Sequence, residues 1–221
     1  MTEPIQESET RRRVLDPVER VSEMCFGLFM ALTFVGAVSA LGGTDSPQAM
    51  FAAALGCNLA WGLVDAVMYL VRTLTERGRA LSMALAVRSS PDPAVALRAL
   101  REAIPEGIRN LLEDRELHSI RERFAVQAQL PDRPRYGKDD FVASISIFFI
   151  VVATTFPVAL PFLVIADGRV ALLVSRILTL LMLFGGGMAL GRYSGFGGLK
   201  AGISMVALGV ALTAAIIALG G

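Results

Sequence analysis

Five apolar stretches, each close to bilayer-spanning length, constrain this chain more than any other feature. They lie at about 21–43, 49–71, 141–166, 170–191 and 199–219. A transmembrane helix needs about 20 mostly apolar residues. The turn-forming segments GGTDSPQ, ADGR and GRYSGFGG separate most consecutive stretches. The pattern predicts an all-α polytopic membrane protein with five transmembrane helices and the lipid bilayer as its surroundings.

Charged residues are concentrated between these stretches. They make up 19% of the chain, against about 25% in a typical soluble domain. We predict a cytosolic tail at 1–20, helices 1 and 2 at 21–72, a cytosolic helical subdomain at 73–138, and helices 3 to 5 at 139–221. The net charge is only +1, and basic residues are interleaved with acids or lie at membrane edges. Nucleic acid is therefore not an expected partner.

The basic residues also predict the orientation. With the N-terminus in the cytoplasm, every Lys and Arg except Arg169 and Arg176 falls on the cytoplasmic side, as the positive-inside rule requires. We expect an integral membrane protein, of the inner membrane if the source is bacterial, with no cleavable signal peptide. Cys25 and Cys57 lie in apolar runs without CxxC spacing, so neither a disulfide nor a zinc site is expected.

The subdomain at 73–138 is expected to be helical. Asp92 and Pro93 have the residue types of an N-cap and a first helical position. Pro105 is expected to end or kink that helix and can open the next, which we place at 105–127. The predicted buried side of this second helix consists of Ile108, Leu111, Leu112, Ile120 and Phe124.

Asp65 is the one acid in the second apolar stretch. Helical spacing puts it on one face with Asn58, Gly62, Tyr69 and Arg72. A carboxylate that faces lipid costs roughly 2.5–3.5 kcal/mol, so this face is expected to contact protein or water. Two interpretations stay open: Asp65 is a functional intramembrane acid, or it pairs with Arg72 or hydrogen-bonds a neighbouring helix.

The first stretch places Glu23 and Met30 near one face, at a depth comparable to that of Asp65 if the two helices are antiparallel. Carboxylate and thioether groups together can bind a divalent transition metal. The alternative is that the methionines fill the core and Glu23 is solvated at the interface. The predicted transport pathway comprises Glu23, Met30, Asn58, Asp65, Met68, Pro157 and Pro161, with Glu23 and Asp65 as its metal ligands.

The third stretch contains Pro157 and Pro161, which leave backbone carbonyls without donors. Such breaks are tolerated where protein or a wet cavity satisfies these groups. Two interpretations of these prolines stay open: they form the wall of a pathway, or they form a kink that packs against neighbouring helices. In the last two stretches, the small residues of GGGMALG and KAGISMVALG predict close helix packing. Gly27, Gly36 and Gly62 would permit a close homodimer contact through helices 1 and 2.

A set of glutamates in the subdomain is a second candidate metal site. We predict Glu106, Glu113 and Glu116 on one helical face, joined by Glu102 if Pro105 does not break the helix. Arginines are interleaved with these acids, so an ion-paired, solvated face is the alternative.

These features together resemble the vacuolar iron transporter family over residues 16–221. The resemblance rests on the five-span plan with its charged insert and on the segments ERVSEMCFG, FPVALPF and ALGG. It implies a homodimer that exports ferrous iron or manganese from the cytosol by proton exchange, with Fe²⁺ or Mn²⁺ as the transported ion and no tightly bound cofactor. It also implies that the glutamates of the insert collect metal.

The chain departs from that family in both of the first two spans. Met30 and Ala31 stand where the family has Asp-Gly, and GCNLAWGLVDAVMY replaces a Ser-Met-Gly pattern. Either Asp65 has taken over the role of the missing acid, or the chain is a non-transporting scaffold or sensor. A membrane enzyme is disfavoured, because the one histidine, His118, lies in the insert, away from any serine or cysteine of a span.

Overall fold

The fold is built from helices throughout the residues that a computed structural model of the chain describes, which are 15–40, 46–90, 92–127 and 130–219. These helices are α1 (Pro17–Ala40), α2 (Pro47–Ser89), α3 (Pro93–Ala103), α4 (Glu106–Arg109), α5 (Asp114–Gln127), α6 (Lys138–Ala159), α7 (Pro161–Val164), α8 (Gly168–Tyr193) and α9 (Gly198–Ala218). Within the described residues, five helical segments are long and apolar enough to cross a membrane. The prediction of an all-α protein with five transmembrane helices is confirmed. Most of the predicted tail lies outside the described residues.

The chain divides into two compact units. One comprises Met1–Met68 and Asp139–Gly221, and the other comprises Tyr69–Lys138. The first unit contains the helices that can span a membrane, apart from the C-terminal part of α2.

Helix α2 is much longer than its apolar stretch. The sequence predicted a span ending near 71, but the helix continues to Ser89. Residues 72–89 are rich in Ala, Leu and Arg, which are good helix formers in water. The end of the apolar stretch predicts where the helix leaves the bilayer. The helix continues past that point because its residues favour helix in water.

Close contact between α8 and α9 depends on glycine. A Cβ added to Gly187 would lie 2.7 Å from the carbonyl oxygen of Ala201 and 2.8 Å from the Cα of Gly202. The same addition at Gly191 would lie 2.7 Å from the carbonyl oxygen of Gly197. The predicted close packing of these two helices is confirmed.

The glycines proposed for a subunit contact pack within the chain instead. A Cβ on Gly27 would lie 2.5 Å from Thr154 Oγ1, and one on Gly62 would lie 3.4 Å from the carbonyl oxygen of Phe148. Both glycines therefore let helices approach α6 of the same chain. They give no support to the homodimer, which stays a prediction.

The start of the insert follows its prediction. The carboxylate of Asp92 accepts a hydrogen bond from the Ala94 amide (2.8 Å), and Pro93 is the first residue of α3. This helix ends before Pro105, as expected. The predicted N-cap is confirmed.

The second helix of the insert differs from its prediction. It is broken between α4 and α5, and its buried residue is Leu117 (0% exposed), which packs with Val87 and Leu100. Leu111 is 76% exposed, and Ile108 and Ile120 are also exposed. Leu112, by contrast, is partly buried against the Leu117 cluster, as predicted. The predicted face assumed one continuous helix, and the break rotates the two halves differently. The side chain of Phe124 lies outside the described part.

Candidate functional site

A buried amide joins three membrane helices at the centre of the first unit. Asn58 on α2 is fully buried, and its Nδ2 donates to the Gly27 carbonyl of α1 (3.3 Å) and to Thr155 Oγ1 of α6. The Thr155 hydroxyl in turn donates a hydrogen bond to the Val151 carbonyl (3.1 Å). Because the Gly27 carbonyl can only accept, the amide nitrogen must face it. The orientation of Asn58 is thereby determined.

Two acceptor oxygens on this face of α2 have no donor. Asn58 Oδ1 and Asp65 Oδ2 are both buried, and neither has a hydrogen-bond partner among the described residues. They lie seven residues apart, which is two helical turns along one face. A buried acceptor without a donor is costly and calls for a specific explanation. Both oxygens are of the type that binds a cation.

The contacts between α2 and α6 define an antiparallel register. Going along α2, Asn58 meets Thr155, Gly62 meets Phe148 and Val151, and the Ala66 carbonyl accepts from Ser144 Oγ (2.9 Å). Asp65 precedes Ala66 and thus lies at the level of Ser144.

The register also places a second acid near this level. Asp140 is only 5% exposed and lies one turn before Ser144. This places Asp140 about 6 Å from the level of Ser144 along the helix axis. Two acids of the membrane unit, Asp65 and Asp140, therefore lie within about two turns of one another in depth.

Glu23 lies near the same depth. Counted from the Asn58–Gly27 contact, Glu23 is four residues toward the N-terminus of α1, which corresponds to about 6 Å. Asp65 is seven residues toward the C-terminus of α2, or about 10 Å. Because α1 and α2 are antiparallel, both displacements have the same direction. The expected similar depth of the two carboxylates is consistent with this register.

Sequence reasoning missed the contribution of α6. Its polar residues Asp140, Ser144 and Thr155 are buried, and Ser144 and Thr155 form hydrogen bonds with α2. Their spacing of four and eleven residues matches a single helical face, so the periodicity was visible. The predicted apolar stretch started at about 141, one residue after Asp140, and only the prolines of this helix were considered.

The alternative in which a partner satisfies Asp65 finds no support at Oδ2, which has none among the described residues. Arg72, its proposed partner, lies over the ring of Tyr69, with 6.0 Å between the guanidinium carbon and the ring centroid.

The two methionines of the predicted pathway lie away from the hydrogen bonds of Asn58. Met30 lines an open groove of about 420 Å³ with Thr33, Cys57 and Trp61, between α1, α2 and α9. Met68 is 54% exposed. The structure therefore brings neither methionine into the polar contact around Asn58.

The two prolines lie close to the break between α6 and α7. Pro157 is inside α6, and Pro161 begins α7 and is buried. Between them, the Val158 carbonyl accepts a hydrogen bond from Ser175 Oγ of α8 (2.7 Å). The carbonyls that lose a donor to Pro157 and Pro161 are those of Ala153 and Pro157. The bond to Val158 therefore ties the break to α8 but leaves both the pathway wall and the packed kink as predictions.

The glutamates of the insert do not share one helical face. Glu102 is in α3, Glu106 in α4 and Glu116 in α5. Glu116 Oε2 accepts from the Glu113 amide (2.9 Å), and Arg115 lies 3.6 Å from the Glu113 carboxylate. These are the contacts of a helix cap and an exposed ion pair. Their collective metal binding stays a prediction.

No preformed metal cage is present in the described part of the chain, where no group of three or more His, Cys, Asp or Glu side chains could hold a metal ion. The oxygens of Asn58 and Asp65 are instead single acceptors along a helix face.

A comparison with protein families decides the class of the chain. The model of the VIT family matches residues 95–221. The chain belongs to the VIT family. Membership indicates a membrane metal-ion transporter, and members of this family are transporters rather than enzymes. The candidate membrane spans agree with an integral membrane protein.

The extent of the match is itself informative. It begins within α3 and includes α6, α8 and α9, but leaves out the two helices that carry Glu23, Asn58 and Asp65. No curated protein matches the chain. The candidate site therefore combines one helix inside the matched region with two outside it.

Proposed function

We propose that this VIT-family protein exports a divalent transition metal, Fe²⁺ or Mn²⁺, from the cytosol in exchange for protons. The observation that carries the proposal is the buried Oδ2 of Asp65, which has no donor in the part of the chain that the structure describes. In a transporter family, an intramembrane acid without a protein partner is the expected form of an ion-binding residue.

The chemistry of the site agrees with a cation as its ligand. Asn58 Oδ1 and Asp65 Oδ2 are oxygen ligands on one face of α2, and carboxylate and amide oxygens suit Mn²⁺ and Fe²⁺. Asp65 can bind the ion when ionised and release it when protonated. One group thereby couples metal movement to proton movement in the opposite direction.

The proposal includes an N-terminus in the cytoplasm and a homodimer. In that orientation Glu23 and Asp65 lie toward the cytoplasmic ends of the first two apolar stretches, where metal enters. Exposed apolar side chains such as Phe26, Trp61 and Met68 offer a surface for a second subunit. Metal would then pass along α2 of each subunit.

A non-transporting scaffold or sensor is the second candidate, and two observations favour it. Met30 occupies the position of the acid expected in the first span, and the family match excludes α1 and α2. A protein that kept the fold but lost transport would show this distribution of changes.

Metal uptake by proteoliposomes distinguishes the two functions. Purified full-length protein is reconstituted with a metal-quenched dye and, in parallel, with a pH dye inside the vesicles. A transporter quenches the first dye on addition of Mn²⁺ or Fe²⁺, and the second dye reports proton movement that depends on the metal. Protein-free vesicles are the control. Folded protein in sealed vesicles that gives neither response would favour the scaffold or sensor.

A further inference from the structure

A groove in the second unit has an apolar floor and a cationic rim. It measures about 590 Å³ and runs between the C-terminal half of α2 and the segment 130–135. Its lining consists of Arg77, Ala80, Leu81, Met83, Ala84, Leu130, Pro131, Arg133, Pro134 and Arg135. Three of these residues are arginines and none is acidic. A ligand for this surface must be both apolar and anionic.

The segment that forms one wall is held on the helix by specific contacts. Arg77 Nη1 donates to the Arg135 carbonyl (2.7 Å). Pro134 packs over Gly78, where an added Cβ would lie 3.9 Å from the proline Cγ. The groove is therefore a built feature of this unit, with its wall fixed to α2.

The rim is available for an anion. The side chains of Arg133 and Arg135 are exposed and form no ion pair with any residue that the structure describes. Guanidinium groups bind phosphate through paired hydrogen bonds. The buried or half-buried Leu81, Ala84 and Leu130 provide the apolar floor beneath them.

We propose that this groove binds an anionic phospholipid, with its phosphate on Arg133 and Arg135 and the adjoining acyl segment on the floor. Arg77 lies only six residues after Val71, where the apolar stretch of α2 ends, and Arg135 lies three residues before α6 begins. Basic residues that closely flank membrane spans attract anionic lipids. The volume falls in the range of about 300–1,000 Å³ that is usual for small-ligand sites.

Native mass spectrometry of the full-length, delipidated protein in detergent tests the proposal. The probes are phosphatidylglycerol and phosphatidylcholine with identical acyl chains. We expect one preferred phosphatidylglycerol per chain. The double substitution R133Q/R135Q keeps the Arg77 contact with the wall and should weaken its binding by about twenty-five-fold, since each basic residue near a lipid contributes roughly fivefold. The control R98Q/R123Q removes the same charge from exposed positions outside the groove and should retain binding within about threefold.

A second variant separates the groove from folding and from bulk charge. Ala80→Trp fills an exposed position of the lining without changing charge, and should also weaken phosphatidylglycerol binding at least tenfold. Equal binding of both lipids, or equal loss in the two double variants, would overturn the proposal. Displacement of the lipid by millimolar inorganic phosphate would assign the groove to a free anion instead.

Discussion

Asn58 on α2 donates a hydrogen bond to the main-chain carbonyl of Gly27 on α1, over 3.3 Å. Because Gly27 has no side chain, α1 can lie close to α6 at this point. The same amide bonds Thr155. A residue that the sequence indicated as part of a pathway is thus also the point where three helices meet.

Replacing Asn58 should therefore lower stability. Asn58→Ala removes both donated hydrogen bonds, and we expect a loss of about 1–2 kcal/mol in the free energy of unfolding. Asn58→Asp should cost more, because a carboxylate would face the Gly27 carbonyl. Thermal unfolding in detergent measures both. The neighbouring exposed Leu59, changed to Ala, is the control and should change stability little. Equal stability of Asn58→Asp and wild type would contradict the assigned orientation of the amide.

Two glycines of α8 should respond in opposite ways to alanine. A Cβ on Gly187 meets the backbone of α9, whereas one on Gly185 meets nothing within 4 Å. We expect Gly187→Ala to destabilise by about 1–3 kcal/mol. Gly185→Ala should be neutral or stabilising by up to about 1 kcal/mol, because alanine favours the helix. The same melting experiment compares them, and similar effects of the two substitutions would mean that α9 does not pack on this face.

Sequence periodicity was enough for the fold but only partly for the site. The five spans and the Asp92 cap followed from apolar length and local turn chemistry, which act within one segment. The partners of Asn58 could not be predicted in this way. The register of α2 against α6 depends on contacts between residues about 97 positions apart. The face of the insert helix was wrong for a local reason, since nothing in its apolar spacing indicated the break before Asp114.

Topology follows from the basic residues and can be mapped by cysteine labelling. In a background with Cys25 and Cys57 replaced, a cysteine at Asp132 should react with an impermeant reagent only from the cytoplasmic side. A cysteine at Ala166 should react only from the opposite side, because the α7–α8 connection has few basic residues. Both positions are exposed. Labelling of both from one side would contradict the predicted orientation.

The glutamates of the insert should contribute to metal binding only as a group. Glu106, Glu113 and Glu116 lie in different elements, so we expect each single change to Gln to alter Mn²⁺ binding less than about twofold. The triple change should remove the weak binding that the insert contributes, since a charge-poor site holds Mn²⁺ poorly. Glutamine can replace Glu116 in its capping contact, which keeps α5 intact. Calorimetric titration measures the affinity, and wild-type binding by the triple variant would leave only the ion-paired surface.

Asp65→Asn is the sharpest test of the proposed transport. The substitution preserves the shape of the side chain but removes its charge and its titration. Because Oδ2 has no donor among the described residues, no ion pair is lost, and stability should stay within about 1 kcal/mol of wild type or rise as the cost of a buried charge disappears.

Metal uptake should fall to the level of protein-free vesicles, because the variant can neither bind the cation as a carboxylate nor exchange it for a proton. Asp167→Asn is the matched control. It removes one carboxylate from the N-cap of α8, where asparagine caps equally well, and should leave uptake unchanged. Marked destabilisation of Asp65→Asn would instead assign Asp65 a structural partner. A folded Asp65→Asn protein that moves metal at the wild-type rate would remove Asp65 from the pathway, and the coupling of metal to protons would then have to reside in Glu23 or Asp140.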